Sequence, residues 1–170
     1  MLSFEKSNGI PPKPDGINDI NIYSPVDGKI VAVKSEQMPI GEQVYIRPES
    51  NPGYTVRLFH IYLDGGIEKG SKVSAGQKIG VISQYQNTDI AIMTEKSGSN
   101  FVSYFDVMPD SVFAKYRERG VKSRDELIIS KEFRDADPLR CDGEMFIYEN
   151  SNITPRDFIF LSGYLNPTLP

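Results

Sequence analysis

Ser24-Pro25-Val26-Asp27-Gly28-Lys29-Ile30-Val31 opens the stretch that decides the fold, a turn feeding a β-branched strand. The stretch continues through Phe59-His60-Ile61-Tyr62-Leu63. It closes on Ile67-Glu68-Lys69-Gly70-Ser71-Lys72-Val73-Ser74-Ala75-Gly76-Gln77-Lys78-Ile79-Gly80. The closing run reads as a tight β-turn system. Gly70, Gly76 and Gly80 can take positive φ without a Cβ penalty, while Val73 and Ile79 are apolar residues fit to point into a core. Around this stretch, Lys29–Val33, Gln43–Ile46, Thr55–Tyr62, Gln77–Ser83 and Thr88–Met93 read as strands bounded by turn formers. Alternation with polar neighbours and the turn glycines predict one core holding Val31, Val33, Val44, Ile46, Leu58, Val73, Ile79 and Ile92.

The flanks differ in character. Residues 1–20 carry Gly9, Pro11, Pro12, Pro14, Asp15 and Gly16 and read as an irregular leader. Residues 21–97 form the β portion, and the loop at Lys96–Asn100 marks a boundary. Residues 98–170 read as a mixed α/β extension packed on the β portion. In it, Asp110 or Ser111 caps a helix through Arg119, with Gly120 in the C′ position. Ser123-Arg124-Asp125-Glu126 reads as a capping box for a second helix through about Asp135, stopped before Pro138. Glu144–Tyr148 and Asp157–Ser162 read as two short final strands.

Composition excludes several classes. The 170 residues are 39% hydrophobic and 25% charged, ordinary for a globular chain with a real core. The net charge of −4 is dispersed, and no Lys/Arg run offers the clustered positive charge that nucleic-acid binding uses. No apolar run approaches the roughly 20 residues of a membrane span. The N-terminus Met1-Leu2-Ser3-Phe4-Glu5-Lys6 lacks the apolar run of a signal peptide, and the single Cys141 excludes an intrachain disulfide.

The three segments, in this order, resemble the lysostaphin-type (LytM-like) zinc endopeptidase domain, a small β-barrel of the duplicated hybrid motif superfamily. The resemblance covers residues 21–97 and implies a mainly β barrel or sandwich. It also implies a zinc site: a His and an Asp from one motif, the second His of a His-x-His strand, and a catalytic His before the glycine-rich turn. This chain has one histidine. By the resemblance, His60 falls on the catalytic position and Asp89 and Ala91 on the two His-x-His positions. No His precedes Ser24, where Asp15 and Asp19 are the nearest carboxylates. Ala91 cannot bind a metal, and a hydrolytic zinc needs three protein ligands and an open position. The expectation is therefore no metal and no cofactor. The plain reading of His60 is a half-buried strand histidine hydrogen-bonded to a neighbour.

Two relatives of the same barrel share part of this pattern. The IIA domains of sugar phosphotransferase systems share the Ser-Pro-x-Asp-Gly opening. His60-Ile61-Tyr62-Leu63-Asp64 imitates their phosphohistidine strand, but Tyr62 replaces a small residue and a second His is missing. Biotinyl and lipoyl carriers present one hairpin lysine, whereas Lys34, Lys69 and Lys72 read as solvated turn lysines. Ser103, Ser111, Ser123 and Ser130 lack a second His or other base for a triad and read as caps or surface. Asp135, Asp137, Asp142 and Glu144 depart from the calcium-loop spacing and read as a solvated acidic turn. Asn152-Ile153-Thr154 is a glycosylation triplet by composition only. Tyr45, Tyr54, Phe59, Tyr62 and Tyr85 read as strand aromatics, mostly core, whose exposed members suit stacking on sugars or peptide. The segment 101–141 is similar to an extension that follows degenerate barrels of this family in uncharacterised bacterial proteins.

The resemblance thus implies a catalytically inactive barrel that binds cell-wall glycan or peptide, or a protein partner, outside the cytoplasm. His60, Asp89, Tyr62 and Tyr54 are the candidate ligand-binding residues. The alternatives are a zinc metallopeptidase with a substituted ligand set and a structural module of an extracellular or phage particle.

Overall fold

The computed structural model describes residues 13–36, 41–84, 86–94, 100–136, 138, 141–142, 145–146, 159 and 161–162. The chain divides into two compact units, Met1–Tyr104 and Phe105–Pro170. The first unit is a curled, half-barrel antiparallel sheet and gives the protein its mainly β character.

Eight strands build that sheet: β1 (Ile20–Tyr23), β2 (Gly28–Ser35), β3 (Glu42–Pro48), β4 (Tyr54–Leu63), β5 (Lys72–Val73), β6 (Lys78–Ile82), β7 (Ile90–Thr94) and β8 (Asn100–Val102). The hydrogen-bonded order is β1-β6-β4-β3-β2-β5, with β7 joined to β4 and β8 to β7. All five strands read from the sequence are present; β1, β5 and β8 are additions that local pattern did not reveal. The core is Ile30, Val44, Ile46, Val56, Leu58, Ile61, Val73, Ile79, Ile82 and Ile92. Burying such side chains contributes roughly 1.5–3 kcal/mol each, the main favourable term for a sheet of this size.

One core expectation needs correction. Val31 is only half-buried, and Ile30 takes the inward position with no exposed surface. The β2–β3 register runs Ile30↔Ile46 and then Ala32↔Tyr45, so β2 carries an extra residue at Val31. That bulge breaks the two-residue alternation on which the expectation rested. Val33, beyond the bulge, is half-buried and packs against the core.

The two motif segments are stitched together by backbone. Ser24 N–H donates to Gln77 O (2.8 Å), Gly76 N–H donates to Ser24 O (2.8 Å), and Ala75 N–H donates to Asp27 Oδ1 (2.8 Å). Gly70 and Gly76 adopt φ of 102° and 79°, the left-handed conformation the turn system predicts. Gly80 serves another purpose. It lies within β6, and a Cβ there would stand 2.4 Å from the Tyr62 carbonyl oxygen. Because a Cβ at Gly70 meets nothing within 4 Å, Gly70→Ala is expected to lose only the backbone term, about 1 kcal/mol. Urea denaturation checks this value, and an unchanged midpoint would contradict it.

The second unit departs from its expected helices. Helix α2 (Asp110–Arg117) begins on Asp110 itself, with Pro109 at the N-cap and no side-chain capping bond. Its C-cap is Glu118, so Gly120 (φ 98°) lies two residues beyond rather than at C′. The second helix is broken: a 3₁₀ turn (Arg124–Leu127) runs into extended Ile128, and a separate α3 (Lys131–Ala136) follows. Ser123 makes no capping bond. Glu126 accepts instead from Lys122 N–H, and Ser130 Oγ accepts from Phe133 N–H to cap α3. Arg124 anchors the 3₁₀ turn to the segment before it. Its guanidinium donates to the Phe105 and Met108 carbonyls of and just after α1 (Tyr104–Val107), pairs with Asp110, and lies over the Phe113 ring.

β9 (Cys141–Asp142) and β10 (Met145–Phe146) form a short antiparallel pair inside the first of the two expected final strands and just before it. Of the second expected strand, Ile159, Leu161 and Ser162 are described and none is in a strand; Asp157, Phe158 and Phe160 lie outside the described residues, as do Glu144, Tyr148, Tyr85, Asp137 and Asn152-Ile153-Thr154. Asp135 is ion-paired with Lys131.

Candidate functional site

Strand β4 positions the site. Its first half, Tyr54–Leu58, pairs with β7, whereas Tyr62 and Leu63 pair with β6. Where the partner changes, the β3–β4 register steps from Val44↔Leu58 to Glu42↔Ile61, leaving one extra residue on β4. His60 sits in that bulge with φ of 62°. A left-handed backbone is uncommon for a residue with a side chain, though histidine is enriched among those that adopt it. Strict alternation after Val56 and Leu58 would turn His60 into the core. The bulge instead sends Ile61 inward, with no exposed surface, and leaves the imidazole at the surface with 24% of its side chain exposed.

The ring is held on both sides. His60 Nδ1–H donates to Glu36 Oε2 at 2.6 Å, a short charge-assisted bond, and Nε2 lies 3.3 Å from Asp89 Oδ2. Glu36 is nearly buried, with 8% of its side chain exposed, whereas Asp89 is 68% exposed. The bulge backbone is clamped as well. Gln86 Nε2 donates to His60 O (3.1 Å), Thr88 Oγ1 to Phe59 O (2.7 Å), and Phe59 N–H to Asp89 O (3.1 Å). Gly41 lies against the bulge so closely that a Cβ there would be 2.8 Å from His60 C and from Ile61 N.

Glu36 also connects the histidine to a row of side chains on the face opposite the core. Gln43 Nε2 donates to Glu36 Oε1 (3.0 Å), and Gln43 Oε1 accepts from Tyr45 Oη (3.1 Å) and from Arg57 Nη2. Arg57 is stacked between two rings, 4.2 Å from the Phe59 centroid and 5.1 Å from that of Tyr45.

Of the sequence candidates, His60 and Asp89 come together. Tyr62 lies two residues past His60, paired with Val81, and burial raises its phenol above the ordinary tyrosine value. Tyr54 does not join them. It pairs with Thr94 at the far end of β4, roughly 20 Å away at about 3.3 Å per residue, and packs on the core. Ala91 pairs with Arg57 in β7. Asp19 accepts from the Asp15 and Gly16 amides, and Asp15 from that of Ile17, so both carboxylates close their own turn. Among the described residues, no three His, Cys, Asp or Glu side chains are grouped to hold a metal ion. Sequence reading missed Glu36, Gln43 and Arg57. The signal available for Glu36 was its place just past β2, in a hairpin whose register (Ser35↔Glu42) and next pairing (Glu42↔Ile61) carry it to the bulge.

No family model matches the chain, and no curated protein matches it. A solved structure, the solution structure of lysostaphin, is similar over 70% of this chain and 53% of that one, at 18% identity and a TM-score of 0.44. This chain therefore spans about half the length of that structure.

Proposed function

We propose that the β unit is a catalytically inactive relative of the lysostaphin-type barrels, a module that binds cell-wall glycan or peptide, or a protein partner, outside the cytoplasm. The observation that carries this reading is the occupied imidazole. Nδ1 of His60 is committed to a nearly buried Glu36, and Nε2 faces Asp89. The partner position two residues on is Ala91, whose methyl group donates nothing. A zinc hydrolase needs three protein donors converging on one point with a fourth position open for water. A histidine braced by two carboxylates serves instead as a fixed hydrogen-bonding edge, and the exposed Asp89 adds an acceptor beside it.

The expected result is that purified protein cosediments with isolated peptidoglycan sacculi and neither carries stoichiometric zinc nor cleaves cell-wall peptides. His60→Ala and Asp89→Asn should each weaken sacculus binding by about 3- to 10-fold, the loss of one or two hydrogen bonds. One equivalent of zinc contacting His60, with hydrolysis lost on chelation, would overturn the reading in favour of a metallopeptidase with a substituted ligand set.

A further inference from the structure

The outer face of the sheet carries a run of alternating cations and rings. Lys34 Nζ stands 5.1 Å from the Tyr45 centroid, and Arg57 lies between Tyr45 and Phe59. All four belong to β2, β3 and β4, and Tyr45 and Arg57 are directly paired. They face away from the core because Val44, Ile46, Val56 and Leu58, their alternating neighbours, are buried.

Arg57 is short of partners. It donates from Nη2 to the neutral amide oxygen of Gln43, and its Nε is buried without a hydrogen-bond partner. Neither Arg57 nor Lys34 has a carboxylate partner among the described residues. The carboxylate of this network, Glu36, faces His60 and Gln43 instead. A half-buried guanidinium loses much of its hydration, and one that is not matched by an anion is costly to keep. Contact with the two rings meanwhile restricts its orientation, which lowers the ordering cost of any anion that arrives.

From this we infer that Arg57, with Lys34, is a binding subsite for a peptide carboxylate. The carboxylate engages the terminal Nη edge of Arg57, Lys34 supplies a second positive charge, and Tyr45 and Phe59 flank the adjoining peptide. Arg47 and its cross-strand pair Lys29 lie farther along the same face, but among the described residues only Lys34 and Arg57 sit over these rings, and one fixed guanidinium edge matches the two oxygens of a single carboxylate. The inference does not rest on the cell-wall reading. It succeeds or fails whether or not sacculi are bound.

The test is a titration of the full chain with three peptides: Ac-Ala-Glu-Ala-amide, its neutral counterpart Ac-Ala-Gln-Ala-amide, and Ac-Ala-Ala-Ala with a free C-terminus. At low salt at least one carboxylated peptide should bind about tenfold more tightly than the neutral one, and added salt should erode the difference. Which one binds distinguishes a side-chain from a C-terminal carboxylate. The Arg57 Nε–H resonance of the unmodified protein should shift on titration. Arg57→Gln should abolish the preference, and Lys34→Gln should reduce it severalfold. Lys34 is exposed, so Lys34→Gln and the wild-type resonance decide the matter even where Arg57→Gln fails to fold. Equal affinity for all three peptides, or an unmoved Arg57 resonance, overturns the inference.

Discussion

Gly41→Ala is expected to destabilise the protein by about 3 kcal/mol, several times the effect of Gly70→Ala, because two penalties coincide at Gly41 and only one at Gly70. Gly41 has φ of 111°, where a side chain is strained. Its added Cβ would also meet backbone, not a movable side chain, at 2.8 Å from His60 C and Ile61 N and 2.9 Å from Ile61 C. Relief therefore requires β4 to move away at the very bulge that presents His60. Urea denaturation should show a large fall in midpoint, and the His60 ring resonances should move with it. A midpoint close to that of Gly70→Ala would mean that the bulge yields freely and that the close approach of the two backbones has no energetic role.

Glu36→Ala should destabilise by about 3 kcal/mol, since the nearly buried carboxylate accepts one charge-assisted bond from His60 and one amide bond from Gln43. Removing it leaves His60 Nδ1–H and Gln43 Nε2 with a lost partner each, and Gln43 in turn holds Tyr45 and Arg57. Glu36→Gln keeps an acceptor for one of those donors, so its loss should be smaller, about 1–2 kcal/mol. The comparison separates hydrogen bonding from mere filling of space: equal losses for the two variants would show that the polar contacts contribute little. A second readout is nitrogen NMR of the His60 ring: Nδ1 should carry a proton in the wild type, and its resonance should move in Glu36→Ala. An Nε2–H tautomer in the wild type would contradict the assigned bond.

Much of the β unit was legible because its signals are local. Gly70 and Gly76 sit where a reversing chain needs positive φ, and a β-branched residue follows each turn: Val73 and Ile79. Alternation along the strands marked Val44, Ile46, Leu58 and Ile92 as core, while Ile30 and Val56 escaped it. The helical region was less legible because its ends are decided by contacts across the second unit. Ser123-Arg124-Asp125-Glu126 has the letters of a capping box, yet Arg124 is drawn away by the carbonyls of Phe105 and Met108. Local propensity of a few tenths of a kcal/mol per residue yields to several charge-assisted bonds of about 1.5–3 kcal/mol each.

The candidate site divides along the same line. From the sequence alone come a single imidazole and a glycine-rich turn system set among β-branched strands, which make the fold mainly β. Those facts follow from residue identity and from dihedral preferences one residue at a time. Only the tertiary structure decided which way His60 points, that Ile30 and not Val31 enters the core, and that Glu36 braces the ring. The physical reason is common to all three. A β-bulge inserts one residue and inverts every side chain beyond it, at little cost in local energy, so its position is set by how the neighbouring strands pair and not by the letters within the strand.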